Sequence, residues 1–224
     1  MRWHVHPPVA GPGDGRSGVP EWLTELRRFR AEVLWSGGLR PAFRDTDGGF
    51  RDDDPIDLHS YHVVTTDGGE PIATLRVVPI AAGSGFCDRL LGRAVVDRLL
   101  DQLGTDRDDT WEGSGWAVQP SRRRAAMGAR VLAAGSAVAR ELGLHTAIGA
   151  AGSRYGQLVR ILAAGYRRAE GAEPVPVSSL ADDVYLVHGT LDTLRPGFQA
   201  LVEQASDLLE WEQHSPTRVN RMTS

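Results

Sequence analysis

A carboxylate, a hydroxyl and three consecutive arginines fall within one stretch, Trp111–Ala129, read as WEGSGWAVQPSRRRAAMGA. Glu112 can take up a proton, and Ser114 can donate a hydrogen bond or hold a water. Arg122, Arg123 and Arg124 offer forked, charge-assisted bonds to phosphate oxygens. The stretch begins as a strand pattern, Trp111 to Val118, is interrupted at Gln119-Pro120, and opens a helix at about Met127. The first-turn N–H groups of a helix have no intrahelical partner, and the helix dipole adds partial positive charge there. Ala125, Ala126, Gly128 and Ala129 have little side chain, so a ligand can approach the backbone closely. A strand that runs into such a helix start is built to hold a pyrophosphate.

Other elements must position this stretch. Trp22, Leu26, Phe29 and Val33 recur at helical spacing and predict a helix from about Pro20 to Trp35, stopped at Gly37-Gly38. Arg27 and Arg28 are read as its solvated basic flank. Residues 36–58 are loop-like and carry an acidic run, Asp52-Asp53-Asp54-Pro55-Ile56-Asp57. Such a run is either solvent-exposed or a binding place for a cationic substrate, and the sequence leaves both open. Tyr61–Thr65 and Pro71–Pro79 form a hairpin across Asp67-Gly68-Gly69. Arg76 sits mid-strand, and if its face is buried it must be paired. Helices are predicted over Phe86–Leu103, Met127–Leu142, Ser153–Ala164 and Thr193–Glu212, with strands over His145–Ala150 and Val184–His188.

These elements read as one domain over 20–212, after a Gly- and Pro-rich flexible segment, 1–19, and before a polar tail, 213–224. Net charge of −4 argues against a nucleic-acid binder. Cys87 is the single cysteine, which excludes an internal disulfide or a cysteine zinc cluster and fits a cytoplasmic protein. No apolar run reaches the ~20 residues of a membrane span, and the first residues lack a signal-peptide core. His4 and His6 have no third ligand nearby, so no metal is expected.

The run Arg123-Arg124-Ala125-Ala126-Met127-Gly128 resembles the acyl-CoA-binding motif of the GNAT superfamily of N-acyltransferases, Gln/Arg-x-x-Gly-x-Gly/Ala, with Ala126 at the first glycine. Within that superfamily the chain resembles the branch of acyl-homoserine-lactone (autoinducer) synthases and long-chain N-acyl amino acid synthases. Arg30–Leu34 is similar to its N-terminal Arg-x-x-x-aromatic signature, and Asp54-x-x-Asp57 to its paired aspartates. Thr74–Pro79 is similar to its strand arginine segment, with Arg76 in place. Glu112–Trp116 is similar to Glu-x-Ser-Arg-aromatic, with Gly115 where the branch has arginine, and Arg160–Gly171 to its helix–Gly–aromatic segment. The resemblance covers roughly residues 20–190. It implies an α/β (α+β) fold with a mixed, mostly antiparallel sheet flanked by helices on both faces.

The resemblance also implies a chemistry. Acyl transfer needs a thioester donor, a neutral amine and a stabilised oxyanion. If Ala117 or Val118 sits at a bulge, its N–H turns toward the thioester carbonyl, and a splayed strand leaves room for the pantetheine arm. On a regular strand Glu112, Ser114 and Trp116 share a face, which makes Glu112 the candidate base or else a strand-end acid. Tyr155, with Tyr166 as the alternative, is the candidate acid for the leaving thiolate. Trp111 and Trp116 line an acyl tunnel or belong to the core. Asp54, Asp57 and Arg76 are the candidate acceptor site.

The donor would be acyl-CoA or the phosphopantetheine thioester of an acyl carrier protein, whose acidic surface suits Arg122–Arg124. Three functions fit. The first is N-acyl transfer to a small amine or amino acid. The second is an autoinducer-type lactone synthase using S-adenosylmethionine. The third is a non-catalytic binding module, suggested by Ala126 and Gly115. Acceptor, acyl length and oligomeric state stay open.

Overall fold

A computed structural model describes residues 1–9, 19–83, 85–180 and 182–212. One sheet organises them, and it is best built from its centre. Val63, Val64, Leu75, Val77 and Val78 are all buried, so the first hairpin is a two-sided core element. It pairs β2 (Tyr61–Asp67) with β3 (Glu70–Pro79). β4 (Thr110–Val118) lies antiparallel to β3 and starts parallel to β5 (Thr146–Gly152). β5 pairs antiparallel with β8 (Asp182–Thr190), and β8 also takes β6 (Arg167–Arg168) and β7 (Val175–Val177).

The other edge holds a departure from the sequence reading. Trp3–His6 forms β1, antiparallel to β2, and Leu209–Trp211 forms β9, parallel to β1. The expected flexible segment 1–19 is therefore a strand at its start, because Trp3 and Val5 alternate into the core. Residues 10–18 and the tail from 213 lie outside the described residues.

Helices cover both faces, as the expected fold class requires. On one face α4 (Met127–Glu141) packs on β2, β3 and β4 and against α6 (Pro196–Ser206). On the other, α1 (Glu21–Ser36) crosses β3 and β4, while α2 (Phe86–Leu91) meets β4 and β5. α3 (Arg93–Leu103) follows α2, and α5 (Gln157–Ala164) lies beside β5.

Three predicted helices come out differently. The one over 86–103 is broken by Gly92, whose φ of 91° no helix admits. The one from Ser153 begins only at Gln157, since Asp182 accepts hydrogen bonds from the Ser153 and Arg154 backbone and holds a loop there. The last stops at Ser206, and the chain turns back into the sheet as β9.

Ala126, just before α4, is the one non-glycine with positive φ (54°) among the described residues. A Cβ in that region costs about 1–2 kcal/mol. Ala126→Gly is therefore expected to stabilise the fold by about 1 kcal/mol, roughly 2–4 °C in Tm for a chain of this size. An unchanged or lower Tm would show that the strain is relieved elsewhere.

Candidate active site

The centre of the sheet is opened by two local features. β4 and β5 are paired only at Thr110/Thr146, Trp111/Ala147 and Glu112/Ile148, although both strands continue. Beyond Glu112 they part. On its other side β4 carries a bulge, because Thr74 faces Ala117 while Arg76 faces Ser114. Gly115 and Trp116 together oppose Leu75, and Gly115 adopts φ 61°. The bulge lies here rather than at Ala117 or Val118.

The extra residue reverses the alternation of the strand. Glu112 and Ser114 face α1 and α2, whereas Trp116 turns toward α4 and stands against Gly128. The expected shared face of Glu112, Ser114 and Trp116 is thus split. Ala117 packs on Val33 and Leu34 of α1, and Val118 joins the core under α4.

Behind Ser114 lies a buried charge cluster. Asp57 is fully buried and is shared by three guanidinium groups. Its Oδ2 accepts from Arg27 Nε at 2.8 Å and Arg30 Nη2 at 2.7 Å, and its Oδ1 from Arg30 Nη1 at 2.9 Å and Arg76 Nη1 at 3.1 Å. Arg27 is therefore a buried partner of Asp57 and not a solvated flank. Burial works to raise the Asp57 carboxyl, but the charge and hydrogen bonds of Arg30, then the charge of Arg76, hold it far below the carboxylate range.

Asp54 is similarly occupied. It accepts a two-pronged bond from Arg89 at 2.8 Å, lies 3.1 Å from Arg76 Nη1, and receives the Ile56 N–H. Its pKa is lowered because Arg89 and Arg76 outweigh its burial. Arg76 is buried and paired, as its mid-strand position demanded.

Glu112 does not meet the expectation of a base facing the substrate. It is buried, with Oε1 accepting from the Phe86 N–H at 2.9 Å and Oε2 from the Cys87 N–H at 2.8 Å. Burial pushes its pKa up, and these two bonds from the first turn of α2 partly offset that. It ties β4 to α2 and is absent from the walls of the cavity described next.

A cavity of about 630 Å³ fills the gap where β4 and β5 part. One end is polar and holds Asp52, Asp54, Arg76 and Arg40. Its middle is formed by Gly113–Val118, and its apolar end by Leu75, Leu132, Ile161 and Phe198. Ala126, Gly128 and Ala129 at the start of α4 also line it. No side chain among the described residues caps that helix start. Ser114 Oγ, Arg76 Nε and Trp116 Nε1 are buried in the cavity walls without hydrogen-bond partners among the described residues. Buried polar atoms are normally satisfied, so three orphans around one cavity mark a place that accepts a polar ligand.

Tyr155 lines the cavity and donates from its hydroxyl to the Gly38 carbonyl at 3.2 Å. Tyr166, the alternative, is in the core beside Ser136, and burial pushes its pKa up to about 12. Trp111 is core, 2% exposed, and only Trp116 of the pair reaches the cavity. Arg122 is exposed and pairs with Asp67. The side chains of Arg123 and Arg124 lie outside the described residues. The sequence reading missed Arg40 and Asp52. Asp52 was hidden in the acidic run, and Arg40 had no motif to mark it. Among the described residues no group of side chains could hold a metal ion, and no helix is long and apolar enough to cross a membrane.

No protein-family model matches the chain, and no curated protein matches it by sequence. Solved structures do share its fold. A CoA-dependent acyl-homoserine lactone synthase, BjaI, superposes with TM-score 0.66 at 17% identity, over 94% of this chain and 93% of that one. TofI, solved with an inhibitor and MTA, gives 0.60 at 19% identity over 93% and 97%. A putative N-acetyltransferase from Lactobacillus plantarum gives 0.52 at 16% identity over 85% and 99%. The GNAT-like fold expected from the sequence is the fold observed, and the similar structures include the lactone-synthase branch that the motifs resembled.

Two outcomes follow from the charge cluster and the bulge. His62 is fully buried beside Arg30 and donates from Nε2 to the Asp57 carbonyl at 2.9 Å. Burial and then the charge of Arg30 lower its pKa to about 3. The unfolded chain takes up this proton near pH 6.5, and the folded chain refuses it until about pH 3. Tm is expected to fall steadily from pH 6.5 to 4, and His62→Gln should flatten that slope; an unchanged slope in the variant would refute the assignment.

At position 115 a Cβ would stand 2.8 Å from Arg76 Nε, on a backbone with φ 61°. Gly115→Ala is expected to cost roughly 1–3 kcal/mol in chemical denaturation. A loss under about 0.5 kcal/mol would mean that the bulge rearranges freely.

Proposed function

We propose that the chain is an N-acyltransferase that moves an acyl group from a CoA thioester to the amine of a small molecule. The observation that carries this reading is the cavity where β4 and β5 part. It joins an uncapped helix start, an apolar pocket and a polar end in one continuous space. Each part suits one portion of the two substrates.

The first-turn N–H groups of α4 take the pyrophosphate, with Arg122, Arg123 and Arg124 adjoining in sequence. Ala126, Gly128 and Ala129 keep the approach to that backbone open. The pantetheine arm lies along the unpaired edge of β4, where Ala117 and Val118 offer backbone groups. The acyl chain enters the pocket of Leu75, Leu132, Ile161 and Phe198, with Trp116 at its side.

The amine nitrogen attacks the thioester carbonyl carbon. The C–N bond forms, the C–S bond breaks, and the proton lost by nitrogen ends on the departing thiolate. The amide and free CoA are the products. Ser114 Oγ, which has no partner among the described residues, orients the amine or its water. Tyr155 delivers the proton to sulfur. Asp57 and Glu112 contribute by holding the walls, since their oxygens are occupied.

A second reading is the lactone-synthase type. The cluster of Arg30, Asp54, Asp57 and Arg76, with Ser114 and Glu112 on the adjoining strand β4, supports it, as does the likeness to BjaI. BjaI itself has been solved with SAM and isopentyl-CoA. Gly115 stands where that branch carries arginine, which speaks for another acceptor. An acyl-carrier-protein donor stays compatible with the arginines at 122–124.

The test is thiol release from acetyl- and octanoyl-CoA with a panel of amines, including S-adenosylmethionine. Amine-dependent release, faster with octanoyl-CoA, is expected. Tyr155→Phe should lower kcat by about tenfold or more, and Arg123→Ala should weaken donor binding about tenfold. No release with any amine would reject the enzyme reading, and lactone formation from S-adenosylmethionine would select the second.

A further inference from the structure

Donor binding and proton transfer leave one buried donor in the cavity wall unused. Trp116 is half-buried, and its Nε1 is buried without a hydrogen-bond partner among the described residues. An indole nitrogen can only donate, so burial without an acceptor leaves its desolvation uncompensated. Leu75, Leu132 and Phe198 belong to the core cluster that the ring packs against, and they carry no polar side-chain atom to accept from it. The acceptor is then supplied by whatever fills the cavity that Trp116 lines.

Two features fix where this N–H stands. The bulge turns Trp116 to the α4 side of β4, while Ser114, two residues earlier, keeps to the α1 and α2 side. The edge of β4 that faces the gap thus carries a hydroxyl on one face and an indole on the other. Gly128 then seats the ring. A Cβ there would stand 3.0 Å from Trp116 Cζ2 and 3.8 Å from Nε1. Glycine at 128 therefore makes room for the indole as well as opening the helix start.

We infer that the Trp116 indole N–H is the oxyanion donor of this site, bonding the thioester carbonyl oxygen as negative charge develops there. This rests on the acyl-transfer reading and adds a catalytic residue to it. With the amine oriented at Ser114, attack from that face leaves the carbonyl oxygen on the Trp116 side. As the C–N bond forms, the carbonyl π pair moves onto oxygen, and the indole donates a hydrogen bond to it without losing its proton. When that pair returns, the C–S bond breaks and the thiolate takes its proton from Tyr155. A donor fixed in a dry wall stabilises the charge of the transition state more than the neutral carbonyl of the ground state. A pyrophosphate oxygen and a pantetheine amide are the rival acceptors. Both exist in full before reaction, so a bond to either would show in donor binding and not in rate.

The experiment compares the native chain with Trp116→Phe and with Trp116→benzothienylalanine, which keeps the bicyclic shape and puts sulfur in place of the N–H. Octanoyl-CoA is the donor, with an amine that the native chain acylates. The single-turnover rate of thiol release and the donor concentration at half-saturation are read separately. Each variant is expected to lose about 100-fold in rate, with half-saturation changed by less than about twofold. The rise in Tm that octanoyl-CoA gives should persist in both, showing a folded chain that binds donor. A rate within about threefold of native in Trp116→benzothienylalanine would overturn the inference, as would a kept rate with weakened donor binding. If the native chain turns over and the variants match it, the inference alone fails. If the native chain releases no thiol with any amine, the acyl-transfer reading fails and takes the inference with it.

Discussion

A single buried carboxylate holds together the half of this molecule that borders the cavity. Asp57 has no exposed surface and receives four hydrogen bonds from Arg27, Arg30 and Arg76. Those arginines come from α1 and from β3, so the interaction pins a helix, a loop and a strand at one point. Three guanidinium groups share this one anion, and Asp52 and Asp54 add partners for Arg30 and Arg76. Removing one partner of such a buried network typically costs about 3–5 kcal/mol. Asp54 extends the network outward to Arg89 on α2, and Asp52 extends it into the cavity through Arg30.

The opening in the sheet depends on that anchoring. Strands that part leave backbone groups unpaired, and they stay parted only if packing on both faces fixes each one separately. Glu112 fixes the last paired residue of β4 to the first turn of α2. The bulge at Gly115–Trp116 then turns β4 so that Ala117 packs on α1 and Trp116 on the start of α4. Gly115 is needed there on two counts, its positive φ and the closeness of Arg76. The arginine that the resemblance places at this position cannot take the same backbone without displacing Arg76. The departure is therefore part of the local geometry.

The fold was legible because its core strands and main helices follow hydrophobic periodicity, as in Tyr61–Thr65 and Met127–Leu142. What escaped was tertiary in origin. β1 and β9 are short strands whose alternation spans few residues, and only their pairing makes them strands. Gly92 ends α2, and Gly156 stands just before the late start of α5, where periodicity alone would continue a helix. In the site, Ser114, Trp116, Tyr155, Ala126, Gly128 and Ala129 do meet in one cavity. Glu112 and Asp57 were given direct roles because their types suit chemistry, yet donors from distant segments occupy their oxygens. A single residue in a bulge reversed the faces of β4, which no alternation rule anticipates. Arg40 and Asp52 became visible only as walls of the cavity.

The central claim is that the gap between β4 and β5 is where a CoA thioester lies. A crystal structure with a non-hydrolysable thioether analogue of octanoyl-CoA tests it most directly. The account predicts pyrophosphate on the first-turn N–H groups of α4, the sulfur beside Gly113–Trp116, and the alkyl chain against Leu132 and Phe198. A CoA bound outside that gap, or an alkyl chain left in solvent with the Leu132–Phe198 pocket empty, would contradict it.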